Sequence, residues 1–281
     1  MTVVQSEVEN GAAGGAAILT GRRTSERAGS ERIKSLDSSE SARDVSASLD
    51  MTEELFAALS VHNDITPHSA AMNMAIDEAV LETAVAPTIR FYRWRSPALS
   101  FGYFGKFADV SIYSGEHDLV RRWTGGGIVF HGDDLTYSIV IPASDPAFRE
   151  SSIAIYEKIH RSLRAALKGI GVCAKLVGSA RCADRTPQRG VRTNNCFANP
   201  VRADVMIEGR KIAGAAQRRT RRGLVQQGSI QGIGVDTDLA EKFAGALSAD
   251  CSEFKINEEI LKRARELAQQ KYGTDSWLRK R

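Results

Sequence analysis

The segment from Arg121 to Ser138, RRWTGGGIVFHGDDLTYS, constrains this chain more than any other. Three consecutive glycines between a basic pair and a hydrophobic run leave the backbone little choice but a tight turn entering a strand. Its counterpart is GRKIAGAAQRR at 209–219, where Lys211 sits among glycine and alanine as a second strand begins. Together the two segments describe a backbone cradle that a ligand can approach closely, with one buried cation.

The flanking pattern sets the fold class. From Ser69 onward Met72, Ala75, Ile76, Ala79, Val80 and Thr83 share one helical face, with Asp77, Glu78 and Glu82 elsewhere and Pro87 as the stop. Residues 88–94, 98–103, 119–123, 127–130 and 135–141 read as strands separated by turn chemistry. An amphipathic helix is predicted over 153–170, burying Tyr156, Ile159, Leu163, Ala166, Leu167 and Ile170. A strand at 172–177 precedes a polar, aperiodic, arginine-bearing loop over 178–195, a length that marks a functional or mobile segment. Ala203, Val205 and Ile207 alternate into a Glu208-Gly209 hairpin turn, 210–216 returns, and 224–230 adds a strand. Two C-terminal helices follow, the last with Ile260, Leu261, Ala264, Leu267 and Ala268 on one face and Gly273 as its cap. Strands and helices mix without a βαβ period, so the expected class is α+β, a mixed sheet packed by helices.

Residues 1–50 contain no Phe, Tyr or Trp and offer little apolar area to offset the entropy of ordering. They are expected to form a disordered tail, with Met51 a candidate start and 51–281 a single catalytic domain. Six of the 38 basic and eight of the 34 acidic residues fall in that tail, so the body carries a net charge of +6. Such an excess suits an acidic protein partner or a phosphate-bearing group and is too diffuse for a nucleic-acid binder. No stretch reaches the roughly 18 apolar residues of a membrane span, nor does the N-terminus resemble a signal peptide, so a cytoplasmic protein without membrane attachment is expected.

Gly125, Gly126 and Gly127 remove three side chains in succession, which lets a ligand approach the backbone; neither nucleotide-phosphate fingerprint is present. Arg122 and His131 flank the turn, His131 as a residue that shapes the pocket by hydrogen bonding. Lys211, beside Gly214 and Ala215, can project into a narrow cleft and stabilise a thiolate, an oxyanion or a phosphate. The four cysteines show no CxxC spacing, so neither a disulfide framework nor a metal site is expected. Cys196, in NNCFANP, lies between the arginine-bearing loop and the next strand, and Cys182 lies within that loop, both near basic side chains, an electropositive setting that lowers a thiol pKa. Cys173 falls in an apolar strand, and Cys251 lies beyond the strands without a motif.

Taken together, the motifs resemble the biotin/lipoate protein ligase and octanoyltransferase superfamily. RRWTGGGIVFH is similar to its glycine strand, GRKIAGAAQRR to its lysine strand, LVQQGSI to the strand after it, and NMAIDEAV, APTIRFYRW and KYGTDSWL to its opening and closing elements. The resemblance spans roughly residues 69–281 and implies a biotin/lipoate ligase-like catalytic domain. DDLTYS, and a cysteine fifteen residues before Lys211, look like the single-domain octanoyltransferases, which carry the acyl group on a cysteine. Gly127 departs from them, since they commonly have arginine there and the ligases glycine.

By this resemblance Cys196 is the acyl-thioester nucleophile and Lys211 lowers its pKa, while Arg122, the three glycines, His131, Gly214 and Ala215 bind substrate. The implied reaction moves an octanoyl group from acyl carrier protein to the lysine of a lipoyl domain, such as that of the glycine-cleavage H protein, with no cofactor. Two other readings stand beside it: an ATP-dependent lipoate or biotin ligase, whose relatives often continue into an accessory domain, and a non-catalytic acyl-binding module. Protein begun at Met51 is expected to stay soluble and active; loss of soluble protein on that truncation would refute the tail assignment.

Overall fold

The computed structural model of the protein describes residues 54–178, 200–234 and 237–280. The tail assigned to 1–50, Met51, Cys182 and Cys196 lie outside the described residues.

Eleven strands and five α-helices follow one another through the described chain. They are β1 (Leu59–Asn63), α1 (Ala70–Thr83), β2 (Thr88–Tyr92), β3 (Ala98–Phe101), β4 (Asp118–Arg121), β5 (Ile128–His131), β6 (Leu135–Pro142), α2 (Ser152–Gly169), β7 (Lys175–Leu176), β8 (Val205–Ile207), β9 (Arg210–Arg219), β10 (Gly223–Ile230), α3 (Thr237–Leu247), β11 (Cys251–Glu253), α4 (Glu258–Leu267) and α5 (Asp275–Leu278). The large sheet runs β11-β1-β2-β6-β10-β9-β8-β7, and a small one runs β4-β3-β5. β1 is parallel to both its neighbours whereas β2, β6, β10 and β9 pair antiparallel, so the expected mixed sheet is what forms.

β6 is buried along its whole length because both faces of the large sheet are covered. Tyr137, Ile139 and Ile141 join the core under α2 and α3, while Val140 joins the core under α1 and α4. That is the period-2 alternation of a strand between two apolar layers.

Several elements differ from the sequence reading. β1 and β11 are too short and too polar at their exposed positions to stand out, and they pair with each other across most of the chain, Leu59 opposite Cys251. The strand expected at 172–177 shrinks to Lys175–Leu176, which leaves Cys173 exposed rather than packed. Cys251 opens β11 instead of lying beyond the strands. In α2 the inward face includes Ile155, His160 and Ser162, with Tyr156 and Ile170 only half-buried. After α4, residues Ala268–Tyr272 form a single π turn that Gly273 caps at φ −93°, without the left-handed conformation a terminal glycine usually supplies.

The Glu208-Gly209 turn holds, with φ 48° and 79°, both left-handed as a two-residue hairpin requires. Beyond it β8 and β9 slip register: Val205 pairs with Ala213 and Met206 with Lys211, so Ile212 is the extra residue of a bulge.

Ser69 caps α1 as its position suggests, its side chain accepting from the Met72 amide. The surprise lies within the helix, because Asp77 and Glu78 are buried. Asp77 Oδ1 accepts from Arg90 Nη1 at 2.9 Å and Ser138 Oγ at 2.7 Å, and Oδ2 accepts from Tyr92 Oη at 3.1 Å and Gln227 Nε2 at 2.7 Å. Arg90, only 1% exposed, also donates to Asp64 and to Asn73. One carboxylate therefore ties α1 to β2, β6 and β10. Asp77→Ala strands four buried donors and is expected to destabilise the fold by about 3–5 kcal/mol in urea unfolding, whereas a loss under about 1 kcal/mol would show that the network is dispensable.

Candidate active site

The two halves of the sequence motif separate into different jobs. Arg121 is a structural anchor: its guanidinium donates to the carbonyls of Tyr103 and Gly105 and to those of Trp277, Leu278 and Lys280. It thus fastens α5 to the small sheet. Arg122 turns the other way, donating to Ser100 Oγ at 2.7 Å and to the Gly125 and Gly127 carbonyls at 3.0 and 2.9 Å.

Those two carbonyls fix the shape of the glycine turn. Gly126 adopts φ +88°, where an L side chain is strained, and the turn lies flat on Gly102, whose added Cβ would fall 2.1 Å from the Gly126 carbonyl oxygen. Thr124 links the turn to the interior, donating from Oγ1 to Gln227 Oε1 at 2.8 Å. Gln227 is the same residue that reaches Asp77.

His131, at the end of β5, is buried and stacks on Trp94 with centroids 4.0 Å apart. Burial pushes its pKa below the ordinary value of 6.5 despite the Asp134 carboxylate at 2.8 Å, so the ring is neutral. A neutral imidazole has one donor and one acceptor. Nδ1–H donates to Asp134 Oδ2, and Nε2 accepts from Ser100 Oγ at 2.7 Å. Burial alone would raise the Asp134 pKa, but hydrogen bonds from His131, Ser229 and the Gly132 amide hold it below the usual carboxylate value. The result is a continuous relay, Arg122 to Ser100 to His131 to Asp134.

Ser100, Arg122 and His131 of this relay line one wall of a narrow cleft. Met74, Tyr92, Trp94, Val129 and Ala216 give it an apolar lining, and Gly214 and Ala215 of β9 form its far side. Arg122, His131, Gly214 and Ala215 are therefore brought together as the sequence suggested. Gly126 and Gly127 border a neighbouring cleft with Phe101, Phe104 and Lys106.

Lys211 lies at the β9 side, its ammonium 2.8 Å from Asp204 Oδ2, with both side chains essentially inaccessible. Asp204 Oδ1 accepts from Tyr156 Oη at 2.5 Å, and that hydroxyl accepts from the Ala215 amide at 3.2 Å. The β9 bulge lets the lysine fold over Gly214: an added Cβ there would lie 2.4 Å from Lys211 Cε and 2.5 Å from Nζ. Below, His160 bridges the Ala203 carbonyl at 2.7 Å and Tyr137 Oη at 3.1 Å, holding Ala203 at φ 65° beside Asp204.

Sequence reasoning missed Ser100, Tyr156, Asp204 and Gln227. Asp204 falls in the polar phase of the alternation of Ala203, Val205 and Ile207 and so reads as solvent-facing, although it is fully buried; an acidic residue at a strand start near Lys211 is the signal that was there to find. Cys196 and its competitor Cys182 lie outside the described residues. Among the described residues, no three His, Cys, Asp or Glu side chains converge as metal ligands, and no helix is long and apolar enough to cross a membrane.

The chain belongs to the lipoyl protein ligase A/B catalytic domain family, whose model matches residues 69–271. It is similar to octanoyltransferase LipM of Oceanobacillus iheyensis, 41% identical over 177 residues that cover 59% of this chain and 61% of that protein. The chain thus spans less than two thirds of that relative's length. Octanoyltransferase LipM of Symbiobacterium thermophilum is 33% identical over 256 residues, 73% of this chain and 92% of that one. In fold it resembles a lipoate-protein ligase A bound with ATP, with a TM-score of 0.59 at 23% identity over 79% of this chain and 98% of that chain.

Two consequences can be measured. Gly214→Ala must displace the Lys211 ammonium and is expected to cost about 1–3 kcal/mol in urea unfolding, whereas Gly125→Ala, whose Cβ meets nothing within 4 Å, should cost well under 1 kcal/mol. Equal costs would refute the packing argument. The second concerns pH. Burial lowers the His160 pKa to about 4 from 6.5, so the unfolded state takes up the proton first as pH falls. The stability it supplies is complete above pH 6.5 and drains away down to pH 4, by about 3 kcal/mol at most. Unfolding free energies measured from pH 7 to 4.5 should fall steeply in wild type and less so in His160→Gln; identical slopes would overturn it.

Proposed function

We propose that the chain is an octanoyltransferase, moving a medium-chain acyl group from acyl carrier protein through a thioester on Cys196 to the lysine of a lipoyl domain, such as that of the glycine-cleavage H protein. The observation that carries this reading is the apolar cleft running up to Gly214 beside the buried Lys211–Asp204 pair. Its apolar lining of Met74, Tyr92, Trp94, Val129 and Ala216 suits an alkyl chain, each buried methylene contributing about 0.8 kcal/mol. The names of the LipM relatives support the same class.

In this reaction the Cys196 thiolate attacks the donor thioester carbonyl. The tetrahedral intermediate collapses to acyl-enzyme, and the carrier's thiolate leaves and takes up a proton. The neutral amine of the acceptor lysine then attacks the acyl-enzyme, forming the amide, losing its proton and returning the Cys196 thiolate. Lys211 supplies a fixed N–H donor to the thiolate or oxyanion, its position set by Asp204 and Gly214. A thioester is already activated, so no step calls on ATP.

Intact mass measured after incubation with octanoyl-acyl carrier protein tests the proposal. Wild type and Cys182→Ser should gain one octanoyl group, Cys196→Ser none, and the double variant Lys211→Met with Asp204→Asn should shift iodoacetamide labelling of Cys196 to higher pH. Transfer by Cys196→Ser without ATP would sink the assigned nucleophile. Strict ATP dependence would establish a ligase, and stable acyl binding without transfer a binding module.

A further inference from the structure

Outside the acyl cleft, three cations and three aromatic rings close into a ring of their own. Arg218 lies 5.2 Å from the Tyr103 centroid and 5.5 Å from that of Trp123. Lys271 Nζ lies 4.5 Å from Trp123 and 4.6 Å from Trp277, and Lys280 Nζ 5.1 Å from Trp277 and 5.0 Å from Tyr103. Each ring is shared by two cations. Ring faces hold the cations in place without cancelling their charge.

Among the described residues, Glu78 is the one carboxylate in contact with the cluster, paired with Lys271 at 2.6 Å. Three cations against one anion leave an excess of +2 in a small volume. Arg218 Nε is buried and, among the described residues, has no hydrogen-bond partner. A buried guanidinium nitrogen without an acceptor, among like charges, is a site short of an anion. Lys280 also donates to Tyr103 Oη at 2.9 Å, and together with Arg218 and Lys271 it holds the phenol's pKa below 10.

The cluster adjoins the acyl cleft. Gly214 and Ala216 line that cleft, and Arg218 follows on the same side of β9, four residues or roughly 14 Å beyond Gly214. Tyr103 donates its amide to the Thr124 carbonyl at the glycine turn, and Trp123 leads into that turn. A ligand reaching from cluster to cleft would carry its anionic group at one end and its acyl group at the other, joined by an extended linker.

We propose that Arg218, Lys271 and Lys280, set among Tyr103, Trp123 and Trp277, bind the phosphate of the prosthetic arm that presents the acyl thioester, the phosphodiester of a 4′-phosphopantetheine. A compact phosphate matches one guanidinium fork and two point charges spaced around three shared rings, whereas a membrane or nucleic acid calls for an extended basic face. The inference rests on the transferase reading for the identity of the donor.

The test compares two small donors, octanoyl-pantetheine and octanoyl-4′-phosphopantetheine. Wild type should show a KM at least tenfold lower for the phosphorylated donor, and Arg218→Gln or the exposed Lys280→Gln should bring the ratio of the two KM values towards one. A ratio near one in wild type, or a ratio unchanged in both variants, overturns the proposal, and a variant that merely disturbs folding lowers both rates and keeps the ratio. Should neither donor acylate the enzyme, the transferase reading fails by itself. Calorimetric binding of 4′-phosphopantetheine, lost in Arg218→Gln and absent for pantetheine, would still uphold the phosphate site, and absence of that binding would overturn it.

Discussion

The Asp77 carboxylate is the constraint on which the rest is built. It sits inside α1, a helix buried nearly all round, and accepts from residues on β2, β6 and β10. A buried charge is tolerable only when its lone pairs are filled, and here each oxygen accepts at least two donors. One of those donors, Gln227, passes the constraint outward to Thr124 and so to the glycine turn. The turn is thereby tied to the middle of the large sheet.

A second chain of polar contacts, from Arg122 through Ser100 and His131 to Asp134, stiffens the opposite wall. The third, Tyr156–Asp204–Lys211, stiffens the β9 side. Between them lies apolar surface. Polar seams on both sides of an apolar trough hold the groups that line it at fixed distances, the preorganisation that the proposed transfer calls on.

Local order was legible in the sequence wherever chemistry is local. The Ser69 cap, the left-handed Glu208-Gly209 turn, the alternation of 135–141 and the inward lysine at 211 follow from neighbours in the chain. What stayed hidden depends on distant residues. Asp77 and Glu78 read as the polar side of an amphipathic helix because nothing nearby announces Arg90, Ser138 or Tyr272 as their partners. β1 and β11 carry too few residues for a period to emerge, and the adjacent arginines at 121 and 122 look alike in sequence while alternation sends them to opposite tasks.

The π turn at Ala268–Tyr272 shows how one residue of helical phase can be decisive. The inward stripe of α4 runs through Ile260, Ala264 and Leu267, and an unbroken α-helix would bring Lys271 onto it next. The wider turn delays the arrival by one position, so Tyr272 occupies the interior, 3% exposed, and Lys271 swings to the flank. Both side chains then meet on Glu78. In effect the helix carries a built-in frameshift: its sequence is written for one rotational frame up to Leu267 and for another after it, and the length of that segment, more than its composition, decides whether a lysine or a tyrosine faces the core.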